Sequence, residues 1–129
     1  MDKNQVISAY LYSRMDWNAG GIKGEYLTHI NYSFALVKDG LISAAELDKL
    51  DEIRLVKRRF PHLKVLISVG GWGADGFSDA ALTDGSRSLF AKSAAEFIRQ
   101  NSFDGIDIDW EYPCSSDAGI RSRPEDREN

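Results

Sequence analysis

The chain has 129 residues, 43% of them hydrophobic and 28% charged, the composition of a globular domain with one core. A formal net charge of -4, with no basic run longer than Lys57-Arg58-Arg59, argues against a nucleic-acid partner and reads as a solvated helix face. The single cysteine, Cys114, allows no internal disulfide, and two histidines add too few ligands for structural zinc.

At the start, MDKNQVIS lacks the basic-then-apolar pattern of a secretion leader. Nowhere do about 18 apolar residues run together, so no membrane partner is expected. On this reading the protein either stays inside the cell or has lost a leader. The first apolar, β-branched run, Gln5 to Tyr12, predicts a strand. A Gly-rich connection from Trp17 to Tyr26 has room for a short helix only, and His29 to Val37 predicts the second strand. Ser43-Ala44-Ala45-Glu46 has the spacing of a capping box, and Leu47, Leu50, Ile53 and Val56 follow at helical period until Phe60-Pro61.

Leu63 to Val69 predicts a third strand, Ser86 to Asn101 a second helix with Leu89, Phe90, Ala94, Phe97 and Ile98 on its apolar face, and Phe103 to Asp109 a fourth strand. Strands nearly continuous in apolar residues, alternating with helices, imply an α/β fold with parallel strands and crossover helices. An open doubly wound sheet and a closed barrel share that signature, and a barrel takes roughly 250 residues. Pro124, Glu125 and Asp126 suit the first turn of a further helix, which leads us to expect the front part of something longer.

The stretch FDGIDIDWEYP holds the chemistry. Asp107, Asp109 and Glu111 alternate with Ile106, Ile108 and Trp110, so a strand puts the carboxylates on one face. An exposed edge strand or a cation site would also use such a row, but the intervening positions are apolar and the spacing does not match a calcium loop. Asp109 and Glu111, with backbones roughly 7 Å apart at the C-terminal end of a parallel strand, sit where active sites of such folds lie. Mutual repulsion, with a desolvating wall from Trp110 or Trp72, would hold Glu111 protonated, as an acid protonating a glycosidic oxygen must be. Carboxyl groups on one strand approach a sugar from one side, so the nucleophile would come from the substrate, as a 2-acetamido oxygen, with Asp109 orienting that amide.

Asp104-Gly105-Ile106-Asp107-Ile108-Asp109-Trp110-Glu111 and Ser68-Val69-Gly70-Gly71 resemble the DGxDxDWE and SxGG motifs of family 18 glycoside hydrolases, the chitinases and their relatives. The resemblance covers the chain from its first strand to Asn129 but only the first half, about four strands, of that family's TIM barrel. It implies that residues 1–129 are the N-terminal part of a catalytic domain, cleaving β-1,4-linked N-acetylglucosamine polymers with retention. It further implies that Glu111 is the acid/base, Asp109 the amide-orienting residue, Asp107 its partner and Ser68 a hydrogen-bonding member of the cluster. Tyr10, Phe34, Gly70, Gly71, Trp72 and Tyr112 would line the sugar cleft, although Gly70-Gly71 also reads as a turn needing positive φ. The longer protein is expected to be secreted and to bind chitin or its oligosaccharides, while the fragment alone, with open barrel edges, is expected to self-associate and to be inactive. A non-catalytic, lectin-like member, an endo-N-acetylglucosaminidase or a spore-wall hydrolase are the alternatives.

Overall fold

The computed structural model describes residues 5–129. In chain order it forms β1 (Ser8–Tyr12), a single 3₁₀ turn at Gly24–Tyr26, β2 (His29–Lys38), β3 (Leu41–Ser43), α1 (Leu50–Arg59) and β4 (Lys64–Gly70). These are followed by α2 (Phe77–Ala81), α3 (Asp84–Asn101), β5 (Gly105–Asp109) and a second 3₁₀ turn at Pro124–Arg127. All four expected strands are present, and they pair in parallel in the order β1-β2-β4-β5. This is the α/β sheet with crossover helices that the alternation of patterns predicts.

Period-two alternation sorts each strand into two faces. On the outer face Ile30, Tyr32, Val65, Ile67 and Val69 are buried and join Ile53 and Val56 of α1 in one core, with Phe97 and Ile98 of α3 packed against it. Burial of such side chains stabilises by about 1.5–3 kcal/mol each, which is why helix and strand periods must agree on this layer. The inner face carries Tyr10, Asn31, Ser33, Ser68, Asp107 and Asp109 instead, fixed by a register in which Ser68 faces Asp107 and Gly70 faces Asp109.

Both predicted helix starts move. The first helix does not start at Ser43 but at Leu50, with Lys49 in the left-handed region at its cap. The reason lies just upstream: Asp39 and Gly40, with φ of 51° and 75°, make a tight turn that folds Leu41–Ser43 back antiparallel onto Leu36–Lys38. Glu46, which a capping box would turn back to Ser43, instead pairs with Arg14 at 2.6 Å. The second long helix begins at Asp84, ahead of Ser86, because Thr83 is its cap: Thr83 Oγ1 accepts from Ser86 N, and Ser86 Oγ accepts from Thr83 N, each at 3.0 Å. The five-residue helix α2 is an addition that no periodicity announces.

In a flat sheet the edge strands β1 and β5 would stand three spacings, about 14 Å, apart. Yet the Tyr10 hydroxyl on β1 donates to Asp107 Oδ2 on β5 at 2.8 Å. The sheet is therefore curled toward its inner face, as a barrel wall is.

Candidate active site

Each rung of the acidic row has a different setting. Asp107 is the anchored one: its Oδ2 accepts from Tyr10 Oη at 2.8 Å and from Ser68 Oγ at 2.7 Å, so strands β1, β4 and β5 converge on one oxygen. Ser68 is fully buried, and donation to a carboxylate satisfies its hydroxyl. Burial first, then donation to Asp107, pushes the Tyr10 phenol up. Tyr10 therefore belongs to the acid cluster, beyond the cleft-lining role the resemblance gives it. Asn31, opposite Tyr10 in the ladder, is buried on the same face, and its Oδ1 has no hydrogen-bond partner among the described residues.

Asp109 is the carboxyl whose proton affinity is raised, by burial first and then by the charges of Glu111 and Asp107. The sequence places that effect on the outermost rung; in the structure the middle rung is the one flanked by charge on both sides. Glu111 stands two residues past the end of β5, half-buried, and it raises the neighbouring Tyr112 phenol, as acceptor first and as a charge second. Trp110 does not wall the acids: its ring stacks on Phe77 of α2, centroids 5.5 Å apart, on the core side. Among the described residues no cluster of His, Cys, Asp and Glu is arranged to hold a metal ion, and no helix is long and apolar enough to cross a membrane.

The glycine pair has a mechanical reason. Gly70 and Gly71 have φ of 118° and 92°, and a Cβ on Gly70 would overlap the carbonyl oxygen of Asp109. With no side chain there, the two strand ends close up and Gly71 N donates to that carbonyl at 2.9 Å. A cleft of about 840 Å³ opens beside the pair, lined by Tyr12, Phe34, Gly70, Gly71 and Trp72 and reaching the β2–β3 turn. Phe34, at a bulge in β2, sits between Tyr10 and Tyr12 with ring centroids 6.3 and 6.4 Å away. Trp72, 68% exposed, meets Tyr112 edge to face at 6.3 Å. Tyr12 and Asn31 are the additions to the predicted set; strand parity with Tyr10 points to Tyr12, while Asn31 is brought in by its place opposite Tyr10 in the ladder.

Asp104 is structural. Burial raises its carboxyl, but bonds from Lys57 Nζ at 2.7 Å and Val65 N at 2.8 Å outweigh that and leave it lowered, tying the start of β5 to α1 and β4.

Parallel strands with helices on the outer face, curled around an inner face whose carboxylates gather at the strands' C-terminal ends, define the opening strands of a (β/α) barrel carrying a carboxylate site. The chain belongs to glycosyl hydrolases family 18, whose model matches residues 6–129. It is 46% identical over 82 residues to chitinase A1 of Niallia circulans, which covers 62% of this chain and 12% of that protein. The chitinase domain of the spore coat protein CotE from Clostridium difficile superposes with a TM-score of 0.88 at 41% identity, over 98% of this chain and 36% of that one. Human YKL-39, a pseudo-chitinase with retained chitooligosaccharide binding, superposes with a TM-score of 0.70 at 27% identity, over 81% of this chain and 32% of its own. The chain thus spans well under half the length of each of these relatives.

Proposed function

We propose that this chain supplies the acid/base side of a site that hydrolyses β-1,4-linked N-acetylglucosamine polymers in a longer family 18 protein, with retention and by substrate assistance. The observation that carries the reading is the anchoring of Asp107 by Tyr10 and Ser68, which sets the row Asp107, Asp109, Glu111 on one face beside an aromatic cleft. Glu111 protonates the glycosidic oxygen, and as the C1–O bond breaks the sugar's own acetamido oxygen attacks C1 to give a cyclic oxazolinium ion. Asp109 accepts the amide N–H and stabilises the positive charge. Glu111, now ionised, takes a proton from water, which attacks C1 and opens the ring on the original face. Trp72 stacks on a pyranose ring, with Phe34 and Tyr112 as further walls.

The reading needs no metal or organic cofactor. It rests on the longer protein for the rest of the cleft, so the chain by itself is proposed to be inactive, with edge strands β1 and β5 open to another strand. The rival is a lectin-like member that holds chitooligosaccharides without cutting them, and retention of Glu111 favours the enzyme. Hydrolysis of a fluorogenic chitobioside by the full-length protein and by Glu111→Gln separates the two. Loss of most activity in the variant is expected; equal rates, or none in either, defeat the assignment.

A further inference from the structure

Beyond Asp109 the sheet stops holding the chain that carries the acid. The Asp109 carbonyl takes the Gly71 N–H, and apart from a local bond from Ser115 N to the Tyr112 carbonyl, the next backbone anchor is the N–H of Cys114. Glu111 therefore hangs near the middle of a span fixed at two points. The far point is gripped by Asp126, a carboxylate only 4% exposed: its Oδ2 accepts from Cys114 N at 3.3 Å and Arg123 N at 2.8 Å, and its Oδ1 from Ser78 Oγ at 2.7 Å. Burial raises this carboxyl, but its donors and the Arg123 charge outweigh that and leave it lowered. A buried charge is tolerated only when so bonded, and this one joins segments 48 residues apart.

Ser78 lies buried on α2, just past the glycine pair and Trp72, and also accepts from Arg123 Nη1 at 2.9 Å. Around this hub, Arg121 and Arg123 both pair with Asp79, and Arg121 N donates to Asp75 Oδ1 at 3.1 Å. Exposed pairs contribute little singly, so the buried carboxylate is the member that matters. The loops after β4 and β5 are in this way one unit, across which Trp72 meets Tyr112.

We infer that Asp126 is a positioning residue for Glu111: a buried clasp that docks the segment after β5 onto α2 and thereby sets where the acid stands relative to Gly70, Gly71 and Trp72. The inference rests on the acid role given to Glu111 above. Misplacing a reacting group by about 1 Å costs on the order of 100-fold in rate. Asp126→Ala in the full-length protein should therefore lower kcat by roughly 10- to 100-fold on a fluorogenic chitobioside, with KM changed far less. Asp126→Asn should recover most of it, because its oxygen can still accept both N–H groups while its amide donates to Ser78.

In a Glu111→Gln background Asp126→Ala should have no further effect, since a residue acting through an acid is silent once the acid is gone. Equal losses in both backgrounds, or an unchanged kcat, overturn the inference. Hydrogen exchange supplies an arm independent of activity. Asp126→Ala should deprotect the amides of Cys114, Ser115 and Arg123 while those of β4 keep their protection, and unchanged exchange there refutes the clasp whatever the enzyme does. Should Asp126→Ala not fold, Ser78→Ala removes one arm of the clasp and is read by the same two measurements.

Discussion

Gly70→Ala separates two reasons for a glycine. With φ of 118°, Gly70 lies where a side chain is strained, at a cost of order 1–3 kcal/mol. The added methyl would also overlap the Asp109 carbonyl oxygen and come within 2.9 Å of Phe77 Cε2. The group that must give way is backbone, so the end of β5 moves and the 2.9 Å bond from Gly71 N to Asp109 O is lost, about 1 kcal/mol more. The sum, about 2–4 kcal/mol, is a large part of the ~5–15 kcal/mol that holds a domain together. Gly119→Ala is the control, for Gly119 has φ of 76° and nothing within 4 Å of a built Cβ, so only the strain of roughly 1–2 kcal/mol remains. Urea unfolding of the two variants should show a lower midpoint for Gly70→Ala at an unchanged m-value. If Gly70→Ala costs no more than Gly119→Ala, the close approach of β4 and β5 is not what the glycine serves.

Two further outcomes follow from the acid row. Asp109 is held above the ordinary aspartate value of 3.8, so protonation favours the fold: that stability is full below about 3.8 and is lost as pH rises through the higher folded value. Asp109→Asn, uncharged throughout, should therefore melt higher than the parent sequence at pH near 7 and lose the advantage in acid; a lower Tm near neutrality contradicts the setting described for this carboxyl. Ser68→Ala removes one of the two donors on Asp107 Oδ2, and one charge-assisted bond of about 1.5 kcal/mol corresponds to roughly tenfold in kcat, with KM little altered. An unchanged kcat would take Asp107 out of the machinery.

Much of the site was legible because parity is a local property. Ile106 and Ile108 against Asp107 and Asp109, and Ile30 and Tyr32 against Asn31 and Ser33, declare two faces to anyone counting by twos. The β2–β3 turn was missed although Asp39-Gly40 is a hairpin signal, because Ser43 and Glu46 offered a rival helix start and a three-residue strand carries almost no pattern. The bond from Tyr10 to Asp107 spans 97 residues, and no spacing rule reaches across it. Asp126 was readable as a first-turn residue, and the turn at Pro124–Arg127 is there, but its burial depends on Ser78 in a helix too short to announce itself. Trp110 misled by kind: a tryptophan beside carboxylates suggests a wall, while its parity, shared with Ile106 and Ile108, sends it to the opposite side, against Phe77.

The Tyr10–Asp107 contact is a chord drawn across an arc, made only while the wall keeps its bend. The same two atoms that orient the carboxylate therefore also gauge the circumference any adjoining strands inherit. One bond thus ties the setting of the carboxylate to the shape of the vessel.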